Sequence, residues 1–399
     1  MSRVLVLDSH FRHALVAVRN LGAHGVGVTT GSHSRWNAGS CSRYSNRHIT
    51  YPSPSREPDG FVDALERELT AREYEMVLPV DEPTLETVVK HKDRLEAHAT
   101  VPFLPYERLL VGLDKRRTIE AARRSGIPHP RTLFTEDVEP RTAADALGLP
   151  IVVKPRRESA NGETVVCNSI DELERTVHRT VREQGPAIFQ EFIPHGGERG
   201  VYTLYNDDGA LAGLTVQKRL RSNPPEGGSS TYRETVDDPA LVSLADEFLT
   251  GLDWRGLAMV EFRIDARTGE PKLMEINPRL WGSLALSVYA GVDFPYLLYR
   301  SASGETVEPD PRYVANVRAR YLVGDALQAL KRDDRTRAIR ELLTPSPQPC
   351  CYDIESTRDP LPIAGHLAFA LSAFGKESVG QNVRNVVDST PIAMRSSHE

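Results

Sequence analysis

Apolar residues recur along the first hundred positions in two alternating rhythms. Residues 4–7 (Val-Leu-Val-Leu) form a short unbroken apolar run, the pattern of a strand buried on both faces. Residues 11–21 carry apolar positions at helical spacing and stop at Gly22. Residues 25–30 read as a second strand, 61–71 as a second helix, and 76–80 as a third strand. Strand, helix, strand in succession predicts a doubly wound parallel sheet. Asp81-Glu82-Pro83 follows the third strand, at the carboxyl end where such sheets bind ligands. The same three residues also serve as the start of a helix over 84–91.

The rhythm then changes. Pro102 and Pro105 mark a linker, and a helix over 115–125 is stopped by Gly126-Ile127-Pro128. From 149 to about 295, strands and helices mix without strict alternation, which predicts an α+β unit. Beyond about 300 the pattern is mostly helical, with a proline-rich break at 345–349.

Composition narrows the class. A chain of 399 residues is long enough for two or three domains. A net charge of −6 argues against a general nucleic-acid binder. No apolar stretch approaches the roughly 18 residues of a membrane span, and the first residues lack the apolar core of a leader peptide. The four cysteines (41, 167, 350 and 351) show no metal-binding spacing, so a reduced cytoplasmic protein is expected. A homo-oligomer is compatible with the sequence, which does not specify one. Lysine occupies eight of the 49 basic positions, so a lysine inside a motif stands out from an arginine background.

The chemistry concentrates near residue 261. Residues 258–264 form an apolar strand interrupted by Glu261. A turn containing Thr268-Gly269 follows, and 272–278 returns as a strand with Glu275 and Asn277. Paired as a hairpin, these strands bring Glu261 opposite Glu275 within about a residue, and Asn277 shares a face with Glu275. Carboxylates facing each other repel, and a bound cation removes that repulsion. An all-oxygen donor set without Cys or His favours Mg²⁺ or Mn²⁺ over zinc. A solvent-facing hairpin edge satisfies the same pattern.

The residues that follow, Pro278-Arg279-Leu280-Trp281-Gly282-Ser283, complete a stretch from 275 to 291. It resembles the ATP-grasp superfamily, in the branch that includes the carbamoyl-phosphate-synthetase large subunit and related carboxylate–amine ligases. The resemblance implies that Glu261, Glu275 and Asn277 hold the metal and that Arg279 faces the transferred phosphate. Other segments match in chain order. Lys115, after Leu113-Asp114, resembles the lysine at the entry to the fold. Lys154, ending 151–155 (Ile-Val-Val-Lys-Pro), resembles the lysine on the α- and β-phosphates. Ser159 and Gly162 lie in the position of the phosphate-covering flap, with fewer glycines than usual. Residues 187–194 resemble the adenine hinge, with Gln190, Glu191, Phe192 and Ile193 at the base and backbone groups of Glu191 and Ile193 on its edge. Glu198 falls near the ribose-binding acid. Lys218, Arg219 and Arg221 precede a Gly/Ser loop, a pattern for an anionic-substrate site or a phosphate clamp; a solvated charged turn gives the same pattern.

The implied organisation is a pre-ATP-grasp α/β domain over 1–108, an ATP-grasp N-terminal lobe over 109–185, a C-terminal lobe with the metal site over 186–300, and a helical extension over 301–399. The implied activity is ADP-forming ligation of a carboxylate to an amine, both small molecules, through an acyl phosphate. A nucleotide-binding regulator without ligation, a kinase, or a bicarbonate-activating enzyme are the alternatives on the same fold. A nicotinamide dehydrogenase is disfavoured because no G-x-G-x-x-G follows the first strand.

Overall fold

The chain begins with β1 (Arg3–Val6), α1 (Arg12–Ala23), β2 (Gly27–Ser32), β3 (Ser45–Thr50), α2 (Pro58–Ala71), β4 (Met76–Leu78), α3 (Glu82–Lys90) and α4 (Lys92–Glu96). This is a computed structural model, and it describes residues 3–157, 164–223, 228–332 and 334–374. The four strands pair in parallel in the order β3-β2-β1-β4. Val4, Leu5 and Val6 are fully buried in the middle of the sheet, as the unbroken apolar run requires. The edge strand β3 (Ser-Asn-Arg-His-Ile-Thr) has no readable apolar pattern because it covers no core on its outer side.

Asp8 closes the carboxyl end of this sheet. Its carboxylate accepts from the backbone N–H groups of Val80 (3.1 Å) and Asp81 (2.9 Å) and from the Thr84 hydroxyl (2.7 Å). Burial raises its pKa against these bonds. The contact fixes the start of α3, so Asp81 and Glu82 sit at a helix entry and at the sheet's ligand-binding end together.

Next come α5 (Tyr106–Leu113), α6 (Lys115–Arg124), β5 (Thr132–Phe134), α7 (Pro140–Leu147), β6 (Ile151–Pro155), β7 (Val165–Cys167), α8 (Ile170–Gln184) and β8 (Ala187–Glu191). β5, β8, β6 and β7 form an antiparallel sheet in that order. It has its own core, in which Ile151, Val153 and Phe189 pack against Leu147 of α7 and Leu173 of α8.

The remainder comprises β9 (His195–Tyr205), β10 (Leu211–Asn223), β11 (Ser229–Thr235), α9 (Pro239–Gly251), β12 (Gly256–Asp265), β13 (Pro271–Asn277), α10 (Leu284–Tyr289), α11 (Phe294–Ala302), β14 (Arg318–Arg320), α12 (Leu322–Lys331), α13 (Arg335–Leu343), β15 (Cys350–Tyr352) and α14 (Pro362–Phe374). Seven strands form one sheet in the order β13-β12-β9-β10-β11-β14-β15. Its core is continuous with that of the N-terminal sheet, and fully buried Trp281 stands against Tyr202 and Phe294 within it. The C-terminal segment adds two short strands to its helices, and these lengthen the large sheet. Among the described residues, no helix is long and apolar enough to cross a membrane.

Candidate functional site

β12 and β13 pair antiparallel with Glu261 directly opposite Glu275, followed by a bulge between Glu261 and Phe262. Asn277 lies two residues along from Glu275 on the same face, and its amide donates to Glu275 Oε1 at 3.0 Å. Arg279 Nη2 donates to Asn277 Oδ1 at 3.3 Å. Arg219 of β10 reaches over the sheet to Glu261 and donates to Glu198 Oε2 at 2.8 Å. Arg263 donates to the other oxygen of Glu198 at 2.7 Å. Burial opposes ionisation of Glu275, but Lys115, the Asn277 amide, Lys154 and Arg219 outweigh it and hold its pKa below the usual carboxylate value. Glu198 is held low in the same sense: burial opposes it, and Arg219 and Arg263 prevail. Glu275 is therefore ionised and balanced by cations from three other segments, and Glu261, facing it, is paired with Arg219.

Two carboxylates and an amide offer only oxygen donors, which fits a hard divalent cation. Among the described residues there is no group of three or more His, Cys, Asp or Glu arranged to hold a metal, so Asn277 would have to complete the set.

Lys154 sits near the end of β6 and donates to Gln190 Oε1 at 3.1 Å. Gln190 is buried, and its amide donates to Thr132 at 3.2 Å, which fixes its orientation. Desolvation lowers the Lys154 pKa to about 8; Glu275 opposes this shift, and Arg263 and Lys115 reinforce it. Val152, Val166, Phe192, Ile193 and Met274 line a narrow slot beside Lys154. The Glu191 side chain turns out of it to Arg131 and Arg267. The Glu191 N–H donates to the Arg131 carbonyl at 2.9 Å.

Lys115 opens α6, where Asp114 caps the helix by accepting from Arg116 N–H at 3.0 Å. The Lys115 N–H donates to the Arg156 carbonyl at 3.0 Å, which joins the helix start to the exit of β6.

The basic trio divides. Arg219 faces the acids. Lys218 is on the opposite face, paired with Glu234 at 2.9 Å. A bulge in the β10–β11 ladder between Arg219 and Arg221 removes Arg221 from Arg219's face. Arg221 lies 4.9 Å from the Tyr232 ring centre and 3.5 Å from Asp325. Of the three basic residues before the Gly/Ser loop, Arg219 alone joins the Glu261–Glu198 cluster, because the pleat and the bulge send Lys218 and Arg221 away. Ser159 and Gly162 lie outside the described residues, as does Gly227 of the second loop.

Four further residues approach the site. Arg263 shares a face with Glu261 by the two-residue rule, a signal that was present in the sequence. Arg12 and His13 come from the first turn of α1. His13 is buried near Arg279 and Arg12, and burial together with those two cations pushes its pKa well below the usual imidazole value. Glu82 stands 3.9 Å from Arg279 Nε.

A parallel α/β unit, a small antiparallel sheet and a large sheet that is antiparallel except at its β14–β15 edge, with a slot and an acidic-basic cluster between the last two, make an ATP-grasp fold. Residues 191–323 match the family described as ATP-grasp in the biosynthetic pathway with Ter operon. The D-alanine–D-alanine ligase of Albidiferax ferrireducens is 26% identical over 231 residues, covering 50% of this chain and 65% of that ligase. The chain thus spans less than two thirds of that relative's length. Biotin carboxylase from Campylobacter jejuni, solved as its beta-gamma-ATP complex, superposes with a TM-score of 0.66 at 15% identity, covering 79% of this chain and 74% of that one. An L-amino acid ligase from Bacillus licheniformis gives a TM-score of 0.61 at 19% identity, over 77% and 78% of the two chains.

Proposed function

We propose that the chain is an ATP-dependent ligase that activates a carboxylate as an acyl phosphate and joins it to an amine, releasing ADP and phosphate. The observation that carries this reading is the opposed pair Glu261 and Glu275, with Asn277 beside it and Lys154, Lys115, Arg219 and Arg279 around it. Similarity to a D-alanine–D-alanine ligase supports ligation in particular.

In this reading the slot beside Gln190 and Phe192 takes the adenine, and Lys154 and Lys115 meet the phosphates. Glu261, Glu275 and Asn277 hold Mg²⁺, which supplies charge neutralisation at the transferring phosphoryl group. Arg219 is shared between Glu261 and Glu198, so it keeps a carboxylate partner when a cation takes Glu261. A substrate carboxylate oxygen attacks the γ-phosphorus, and the bond to the β–γ bridging oxygen breaks. Arg279 steadies the acyl phosphate. The amine nitrogen then attacks the acyl carbon, loses a proton, and phosphate leaves. Such steps need positioning and electrostatic stabilisation rather than a covalent protein group.

The test is a phosphate-release screen with ATP, Mg²⁺ and pairs of small carboxylic acids and amines. Release of ADP and phosphate that requires both partners is expected. Formation of AMP and pyrophosphate, or phosphate release indifferent to every acid, overturns the reading.

A further inference from the structure

The C-terminal segment reaches Arg12 through the Asp353 carboxylate and the Tyr321 ring. Asp353 follows β15, and its N–H donates to the Arg320 carbonyl at 3.1 Å, so the register of the sheet edge sets its position. Its side chain pairs with Arg233 of β11 and stands 3.3 Å from Arg12 Nε. Arg12, Arg233 and Asp353 are 5%, 1% and 1% exposed. Two buried guanidinium groups share one buried carboxylate, and a buried cation is stable only with its partner in place.

Arg12 passes this constraint on. Its Nε donates to the Gly282 carbonyl at 2.9 Å. Its Nη2 donates to Ser229 Oγ at 2.9 Å and to the Ser230 carbonyl at 3.3 Å. The Tyr321 ring covers the guanidinium, with its centre 4.3 Å away. Gly282 is three residues beyond Arg279, and fully buried Leu280 and Trp281 leave the stretch between them little freedom. A Cβ at Gly282 would lie 3.0 Å from Arg12 Nη2, so the turn and the arginine are fitted to each other.

We propose that Asp353, acting through Arg12, is a positioning residue for Arg279: the strand edge added by the C-terminal segment fixes the turn that carries the reactive arginine. This rests on the reading of Arg279 as the acyl-phosphate contact. Arg12 and Asp353 touch no reacting atom.

The experiment compares Arg279→Ala, Arg12→Gln, Arg12→Lys, Asp353→Asn, Asp353→Glu and the Arg12→Gln/Asp353→Asn double variant, using the acid–amine pair found by the screen. Hydrogen exchange of the amides of 280–284 is followed in parallel. Arg12→Gln is expected to lower kcat by about 100-fold, the cost of a small misplacement at a reacting centre. The KM for ATP should stay within about threefold, since the interaction lost is not one of nucleotide binding. Exchange should quicken at 280–284 while β9 and β12 stay protected. Arg12→Lys should recover part of the rate. The double variant should be no slower than the slower single variant, as for residues acting as one unit. If Asp353→Asn does not fold, Asp353→Glu and the two Arg12 variants still decide. An unchanged kcat in Arg12→Gln while Arg279→Ala is inactive overturns the positioning role. Full activity in Arg279→Ala overturns the reading of Arg279 itself. Multiplicative losses in the double variant, or exchange that quickens evenly across the sheet, also overturn the proposal.

Discussion

Glu261 and Glu275 stand directly across from each other on paired strands, with Arg219 closed on the first and the Asn277 amide on the second. Two charged carboxylates at this spacing repel unless cations intervene. Glu275→Gln keeps the shape and removes one charge. It should lower Mg²⁺-dependent turnover by at least about 100-fold while leaving the fold intact. Steady-state kinetics with a melting curve checks this; wild-type turnover in the variant would remove Glu275 from the metal assignment.

Lys154 has a pKa of about 8, chiefly through desolvation. Phosphate anions favour its charged form. ATP affinity should therefore fall as pH rises above about 8, by up to about tenfold per unit, with proton uptake on binding near that pH. Calorimetry in buffers of different ionisation enthalpy measures both, and Lys154→Ala should weaken binding and flatten the profile. The stability effect has a definite sign. The unfolded lysine keeps its proton to about pH 10.4, whereas the folded one releases it at about 8. This residue's contribution to stability thus rises with pH between those values.

Arg219 and Lys218 are adjacent in sequence and face opposite sides of the sheet. Arg219→Ala should reduce kcat by about tenfold or more, because it strips a cation from Glu261 and Glu198. Lys218→Ala loses a contact to Glu234, which retains Arg318, and its kcat should stay within about twofold, as for most substitutions away from a site. Equal losses in the two variants would contradict the face assignment.

Asp359 fastens the C-terminal segment to α1 and to the loop before β3. It accepts from Arg19 Nε (2.9 Å), Ser42 Oγ (2.7 Å) and Arg43 N–H (2.9 Å), and it is 2% exposed. Asp359→Asn should cost roughly 1–3 kcal/mol in urea unfolding, because buried donors lose a charged acceptor. Turnover at 25 °C should be unchanged. A loss of activity without a loss of stability would place Asp359 in the chemistry instead.

Much of this arrangement was legible in the residues. β1 and β4 are apolar because both faces are covered, and such runs show in any reading. The β12–β13 hairpin was legible because strand side chains alternate with period two, so Glu261, Glu275 and Asn277 had to share a face once the turn at Thr268-Gly269 was placed. Lys154 was legible because it ends an apolar strand in a chain poor in lysine. β3, β14 and β15 were not. A polar edge strand and two three-residue strands gain their order from neighbours already in place and leave no periodic trace of their own.

The sequence by itself determined the kinds of groups available and their local spacing: an all-oxygen acidic set, a few lysines at strand and helix ends, and an arginine just beyond the acids. Tertiary structure decided which of them meet. A bulge in the β10–β11 ladder, set by pairing between strands, took Arg221 off Arg219's face. Arg12, 267 residues before Arg279 in the chain, reached its turn because the N-terminal sheet and the large sheet share one core. Local propensity carries no information about contacts made across such separations, since they follow from how buried faces pack and from which buried charges must find partners.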